Sequence, residues 1–176
     1  MTKNEIIAKT DVLIVGAGPT GLLLANLLGS MGVETIVIER NEGTVQEPRA
    51  VSIDDESMRA LQAAGLSSKV EKIVTRGYGS IYKGPSGQVF SEVKPSSKEF
   101  GFDKRNAFQQ PRLESLLLNG LKRFESVKFF FKTTLVSFKD NSETVISSVK
   151  PLEGDEYKIE SRYMVCLLYT SPSPRD

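Results

Sequence analysis

Short apolar runs alternate with glycine-rich segments along the first forty residues. Residues 12–15 read VLIV and residues 35–38 read TIVI, and both runs are rich in β-branched side chains. Continuous apolar runs of this length are typical of parallel strands buried on both faces. Residues 20–31 between them are rich in Leu and Ala and stop at Gly32, which predicts a helix closed by a left-handed glycine. Together these segments predict a βαβ unit.

The remaining pattern predicts two more helices, a hairpin and several strands. Residues 54–64 begin with acids and stop at Gly65, as a helix aligned with its dipole does. A later helix has Pro111 in its first turn and an apolar face made of Leu113, Leu117, Leu121 and Phe124. We expect a hairpin within residues 77–94 and strands at 127–131, 135–138, 145–149 and 157–165. The fold class predicted is α/β, a Rossmann-like βαβ unit with an inserted β-rich portion.

Composition narrows the choice of partners. The 176 residues carry 23 Lys plus Arg against 22 Asp plus Glu, so no strong field favours nucleic acid or a membrane surface. Cys166 is the single cysteine, which suits a reducing cytoplasm, and the sequence contains no histidine. Imidazole bases and histidine-ligated metals are therefore excluded, and we expect a cofactor to supply the chemistry on a small-molecule substrate. The pattern gives no oligomeric state.

A glycine loop follows the first predicted strand. Residues 16–21 read GAGPTG and match GxGxxG in the context that gives this motif its meaning, between a strand and a helix. Gly16 permits the tight turn, Gly18 lets a pyrophosphate approach the backbone, and Gly21 allows helix and strand to pack closely. Unpaired N–H groups at the start of the helix, where Pro19 and Thr20 lie, would face the phosphates, and a plain connecting loop is the alternative.

An acid, Glu39, ends the second predicted strand, 18 residues after Gly21. A carboxylate at this position can accept hydrogen bonds from the ribose hydroxyls of an adenosine, and its charge disfavours a 2′-phosphate there. The alternative is a solvated acid at a strand end. Spacing alone does not separate FAD from NAD.

Three sequence blocks, in order, resemble the FAD-dependent aromatic-ring hydroxylases (group A flavoprotein monooxygenases), such as the 3-(3-hydroxyphenyl)propionate hydroxylases. They are residues 11–39, residues 47–56 (EPRAVSIDDE) and residues 106–114 (NAFQQPRLE). The resemblance implies that Arg49 faces the FAD phosphates and ribityl region and that Gln110 lies beside the flavin or its ribityl chain. A surface arginine and a helix-start residue are the alternatives, and a structural role is the alternative for Arg40. The implied FAD ligands are Gly16, Gly18, Pro19, Thr20, Gly21, Glu39, Arg40, Arg49 and Gln110.

The same resemblance implies the reaction. A relative of this kind reduces FAD with NAD(P)H and transfers one oxygen atom from O2 to a phenolic ring. No residue of this chain is identified as catalytic, and no metal site is expected. Another FAD-dependent oxidoreductase, or a dinucleotide-binding module without redox chemistry, remains as an alternative.

The resemblance also suggests boundaries. Residues 1–165 are interpreted as the N-terminal part of an FAD-binding hydroxylase domain, with residues 78–105 as the start of a substrate-binding β region. Residues 166–176 read CLLYTSPSPRD and resemble a translated sequencing adapter, so we interpret them as a non-native tail on an incomplete domain. A divergent terminus is the alternative. An incomplete sheet would keep an unpaired edge, and little turnover is expected from such a fragment.

Overall fold

The computed structural model describes residues 6–44 and 50–168. The chain divides into two compact units, Met1–Thr44 with Leu121–Asp176 (the sheet unit) and Val45–Gly120 (the inserted unit). The elements are, in chain order, β1 (Ile6–Val15), α1 (Pro19–Ser30), β2 (Thr35–Ile38), β3 (Ser52–Asp54), α2 (Asp55–Ala63), α3 (Ser67–Val70), β4 (Thr75–Arg76), β5 (Ser80–Lys83), β6 (Val89–Val93), β7 (Arg105–Ala107), α4 (Gln110–Leu121), β8 (Val127–Phe130), β9 (Thr133–Asp140), β10 (Val145–Pro151) and β11 (Tyr157–Cys166).

The sheet unit contains one six-stranded sheet in the order β8-β2-β1-β11-β10-β9. The four strands β8, β2, β1 and β11 are parallel, and β10 and β9 continue the sheet in antiparallel fashion. Val12 is aligned with Thr35 on one side and with Tyr163 on the other, so β1 is central. The predicted α/β fold with a βαβ unit is confirmed.

The predicted burial of β1 and β2 on both faces is also confirmed. Every residue from Val12 to Val15 and from Thr35 to Ile38 is buried. Side chains alternate along a strand, so one face contributes Leu13, Val15, Ile36 and Ile38 to a core that also contains Val149 and Ile159. Helix α1 packs against both strands. Apolar contact on two faces therefore fixes the strands that lead into the glycine loop.

Helix α1 has a face of small residues, Gly21, Ala25 and Gly29, all buried and spaced by one helical turn. A Cβ added to Gly29 would lie 2.7 Å from Cγ of Phe124 and 2.9 Å from Cγ2 of Val127. The absence of side chains lets these two residues approach the helix backbone. The helix ends at Ser30, and Gly32 has the predicted left-handed conformation with φ +70°.

The last described strand extends past the predicted boundary at residue 166. Cys166 is still paired with Val15, and the N–H of Leu167 donates to the carbonyl of Val15 at 2.9 Å. Cys166 and Leu167 thus belong to the sheet geometry. The rest of the predicted tail, residues 169–176, lies outside the described residues.

The inserted unit contains the small antiparallel sheet β3-β7-β4, the predicted hairpin β5-β6, and helices α2 to α4. Arg105 on β7 donates to the hydroxyls of Tyr78, at 3.0 Å, and Ser80, at 3.2 Å, and lies over the Tyr78 ring. A hydrogen bond with Ser52, followed by the bond and charge of Arg105, lowers the pKa of the Tyr78 hydroxyl. These contacts attach the hairpin start to the small sheet.

Helix α4 ends earlier than its apolar spacing predicted. It stops at Leu121, so the expectation that Phe124 lies on its face is wrong. Leu113, Leu117 and Leu121 are buried as expected. Phe124 instead packs against Gly29, and the two residues after the helix turn the chain toward β8. Among the helices of residues 6–44 and 50–168, none has the length and apolar content needed to cross a membrane.

The start of α2 gives a pH-dependent prediction. Asp54 is the N-cap, its Oδ1 accepts from the N–H of Ser57 at 2.8 Å, and hydrogen bonding to Ser57 lowers the pKa of Asp54. Because the pKa of Asp54 is lower in the folded state, its carboxylate stabilises the protein at pH values above the unfolded-state pKa of about 4. This stabilisation is lost as the pH falls through the folded-state pKa.

We expect Asp54→Ala to lower the free energy of unfolding by about 1 kcal/mol at pH 7. The deficit should shrink at a low pH at which the wild-type carboxyl has become protonated, because the stabilisation from its lowered pKa is then lost. Asp54→Asn is the control, because its uncharged cap does not titrate. Urea unfolding at both pH values tests this, and a deficit that stays constant with pH would contradict it.

Candidate functional site

The glycine loop of residues 16–21 lies where β1 leads into α1. Gly16 has φ +110°, and its N–H donates to the carbonyl of Ile38 at 2.9 Å, which ties the loop to the end of β2. A positive φ is strained for any residue with a Cβ, so the predicted requirement for glycine in this turn is confirmed. A Cβ added to Gly21 would overlap the carbonyl oxygen of Gly16 and lie 3.3 Å from Cδ1 of Leu167. The close packing expected at Gly21 is therefore present.

Helix α1 begins with an open N-terminus. Gly18 is the N-cap with φ −71° and ψ −176°, it supplies no side-chain cap, and Pro19 occupies the first turn. A Cβ added to Gly18 would meet nothing within 4 Å, and Thr20 is exposed. The first N–H groups of a helix have no intrahelical acceptor and carry a partial positive charge. The space in front of Gly18 thus suits a phosphate group that approaches the backbone.

Glu39 follows β2 and is bound to the glycine loop. Its Oε2 accepts from the N–H of Ala17 at 2.9 Å, and its Oε1 accepts from the N–H and Nδ2 of Asn41 at 2.9 and 2.7 Å. The backbone is fixed as well, since the N–H of Glu39 donates to Phe130 and its carbonyl accepts from Thr133, each at 2.9 Å. The carboxylate is half-buried, so it faces both the loop and solvent. Three of the roughly four lone-pair sites of the carboxylate are thus occupied, and one on Oε2 remains for a ligand hydroxyl.

Arg40, the next residue, lies in a different environment. It is exposed and lines a cavity of about 220 Å³ together with Lys132, Thr134 and Lys150. Lys132 forms an ion pair with Glu42 at 3.0 Å. Arg40 therefore contributes positive charge beside the end of β2, a chemistry that suits an anionic or aromatic group.

Two FAD ligands, Gln110 and Arg49, were predicted in the inserted unit, and only Gln110 lies among the described residues. Gln110, the first residue of α4, is 6% exposed; its Oε1 accepts from the N–H of Ala50 at 2.9 Å and its Nε2 donates to Oε1 of Glu114 at 2.8 Å. Gln110 is thus a buried bridge between the helix and the segment at Ala50. Arg49 lies outside the described residues.

Sequence reasoning missed four residues of these networks. Ala17 and Asn41 bind the Glu39 carboxylate, and Ala50 and the fully buried Glu114 bind Gln110. Glu114 lies four residues after Gln110, so helical spacing placed the two side chains on one face. That signal could have identified the pair. The Ala17 contact has no sequence signal, because it is made by a backbone N–H.

Comparison with known proteins identifies relatives over most of the chain. The FAD binding domain family matches residues 9–166. The 3-(3-hydroxy-phenyl)propionate/3-hydroxycinnamic acid hydroxylase of Comamonas testosteroni is 42% identical over 155 residues, which cover 88% of this chain and 26% of that protein. The protein with the same description from Shigella sonnei (strain Ss046) is 37% identical over 88% of this chain and 28% of its own length. The chain thus spans about a quarter of the length of these relatives.

Solved structures share the fold. The p-nitrophenol 4-monooxygenase PnpA from Pseudomonas putida DLL-E4 superposes with a TM-score of 0.83 at 20% identity, over 91% of this chain and 41% of that one. The OxyS anhydrotetracycline hydroxylase from Streptomyces rimosus gives a TM-score of 0.72 at 27% identity, over 90% of this chain and 31% of its own. With a glycine loop and a loop-bound acid in the expected places, the chain belongs to the FAD binding domain family.

Proposed function

We propose that the sheet unit binds the ADP half of FAD through residues 16–21 and Glu39. The observation that carries this proposal is the open helix N-terminus at Gly18 beside an acid fixed to the same loop. Backbone N–H groups and the helix dipole bind the pyrophosphate, and the free lone pair on Oε2 of Glu39 accepts from a ribose hydroxyl. Arg40 adds positive charge next to the adenosine. Pro19 and Thr20 line the phosphate approach.

Arg49 and Gln110 are proposed as further FAD ligands of the inserted unit. The support for both comes from the resemblance of residues 47–56 and 106–114 to the hydroxylases. Two properties of Gln110 add support for its assignment as an FAD ligand: its amide is neutral, and two hydrogen bonds fix its position. Residues 78–105, which include the hairpin, are proposed as the start of a substrate-binding β region.

The reaction proposed for the complete enzyme is hydroxylation of a phenolic ring. Bound FAD would carry electrons from NAD(P)H to O2, so that one oxygen atom enters the ring and the other leaves as water. The curated relatives support an aromatic acid as the substrate class. The single cysteine and balanced charge support a cytoplasmic enzyme whose partners are small molecules.

Two Glu variants test the ADP site. Glu39→Gln presents an amide N–H2 to a set of donors, so one of its bonds to Ala17 or Asn41 is lost, and we expect FAD affinity to fall at least about tenfold. Glu42→Gln removes the same charge from an exposed position three residues later and should leave the affinity unchanged. Titration of each variant into FAD, followed by flavin fluorescence, gives the dissociation constants. Equal affinities for both variants would contradict the assignment of Glu39.

A chimera tests the reaction. Residues 9–166 would replace the matching segment of the Comamonas testosteroni hydroxylase, and NAD(P)H oxidation would be measured with a panel of phenols. We expect bound flavin, phenol-stimulated NAD(P)H consumption and a hydroxylated product. A chimera that binds flavin yet makes no hydroxylated product would favour another FAD-dependent oxidoreductase, and a folded chimera without flavin would leave only a dinucleotide-binding fold.

A further inference from the structure

A chain of buried polar groups begins helix α4. Glu114 has no exposed surface, Gln110 is 6% exposed, and the two are joined at 2.8 Å. The other end of the Gln110 amide receives the N–H of Ala50, sixty residues earlier in the chain. This series of hydrogen bonds therefore couples helix α4 to a segment that is distant in sequence.

The donor and acceptor types of Ala50, Gln110 and Glu114 allow only one orientation of the Gln110 amide. A backbone N–H only donates and a carboxylate only accepts, so the Gln110 oxygen must face Ala50 and the nitrogen must face Glu114. If the amide rotated by half a turn, both contacts would oppose like groups. Glu114 thus fixes which end of Gln110 is available to hold Ala50.

Stability alone does not explain a carboxylate at this position. A fully buried acid loses its hydration, and apolar residues of similar volume often serve a core equally well or better. Leu113 and Leu117, on the same helix and also buried, fill that role. Glu114 instead accepts from the Gln110 amide, a contact that an apolar residue cannot make.

We propose that Glu114 is a positioning residue for cofactor binding. Its carboxylate holds the Gln110 amide so that Oε1 fixes the N–H of Ala50. This inference rests on the proposed FAD site, because Gln110 is a proposed FAD ligand. The proposal includes no direct contact between Glu114 and FAD.

An exchange of the two side chains tests the proposal. Gln110→Glu alone places two carboxylates against each other and should weaken FAD binding about tenfold or more. In the double variant Gln110→Glu/Glu114→Gln, the new carboxylate at position 110 accepts from Ala50 and the new amide at position 114 donates to it. Both hydrogen bonds are restored with reversed polarity, so we expect the Ala50 N–H to exchange as slowly as in wild type, whereas FAD affinity recovers only in part because position 110 no longer offers a neutral amide.

Three further variants separate positioning from packing. Glu114→Ala should behave as Gln110→Glu does, whereas Glu114→Gln, whose oxygen can still accept from Gln110, should remain within about threefold of wild type. Leu117→Ala removes packing one turn further along α4 and should lower the urea midpoint without changing the FAD affinity of the folded protein. Hydrogen exchange of the Ala50 N–H reports the contact directly. It should be fast in Gln110→Glu and Glu114→Ala and slow in the double variant Gln110→Glu/Glu114→Gln.

The outcomes are distinct. If the double variant binds FAD no better than Gln110→Glu and its Ala50 N–H exchanges equally fast, the positioning role is wrong, while FAD binding by wild type still supports the proposed function. A folded wild-type chain that binds no FAD overturns the proposed function, and Ala50 exchange across the same variants then decides the role of Glu114 by itself.

Discussion

Gly21→Ala is expected to lower the free energy of unfolding by about 3 kcal/mol or more, the upper range for overpacking in a rigid environment. The added Cβ would overlap the carbonyl oxygen of Gly16 and lie 3.2 Å from its carbonyl carbon. Backbone atoms cannot rotate away as a flexible side chain can, so α1 must move from the end of β1. We expect a lower urea midpoint and loss of FAD binding together.

Gly18→Ala is the matched control in the same loop. Gly18 has φ −71°, which alanine adopts without strain, and its added Cβ meets nothing within 4 Å. We therefore expect wild-type stability, with FAD affinity reduced at least about tenfold because the methyl group enters the space proposed for the pyrophosphate. A Gly18→Ala protein that binds FAD like wild type would contradict the proposed phosphate position, and a Gly21→Ala protein of normal stability would contradict the packing.

Gly29→Ala is expected to destabilise the sheet unit by about 2 kcal/mol, although alanine at an unhindered helical position gains up to about 1 kcal/mol over glycine. The sign is reversed because the new Cβ would overlap the Phe124 ring and approach Val127. Ser30→Ala, at the exposed neighbouring position, should be close to neutral. Thermal or urea unfolding measures both.

A second substitution identifies the cause of that loss. Phe124→Ala removes the ring that the Cβ would meet, so its cost should be smaller in the Gly29→Ala background than in wild type. We expect a coupling free energy of at least about 1 kcal/mol between the two positions. Strict additivity would show that the contact with Val127, and not the one with the ring, opposes alanine at position 29.

The βαβ unit could be predicted because several signals agree there. The runs at residues 12–15 and 35–38 are apolar on both faces, and Gly16 and Gly32 stand where positive φ angles are needed. The strands β3, β4 and β7 were not predicted, since two or three residues give no measurable alternation. Their pairing depends on residues distant in sequence, and so does the sheet order.

The candidate site was predictable only where side-chain type carries the information. The glycines and Glu39 follow from motif spacing, but the contact between Glu39 and the N–H of Ala17 depends on how the backbone turns. Phe124 continued the apolar spacing of α4, yet the helix stops at Leu121, six residues before β8 begins. Packing against Gly29 then determined the position of the ring.

The strand order of the sheet unit has a consequence for synthesis on the ribosome. β1 and β2 are made first, but the partner of β2 at its free edge, β8, is translated roughly 90 residues later, and the partner of β1, β11, later still. At a translation rate of about 5–20 residues per second, the apolar edges of these strands remain unpaired for several seconds. The nascent βαβ unit therefore keeps the edges of β1 and β2 unpaired until β8 and β11 have been translated.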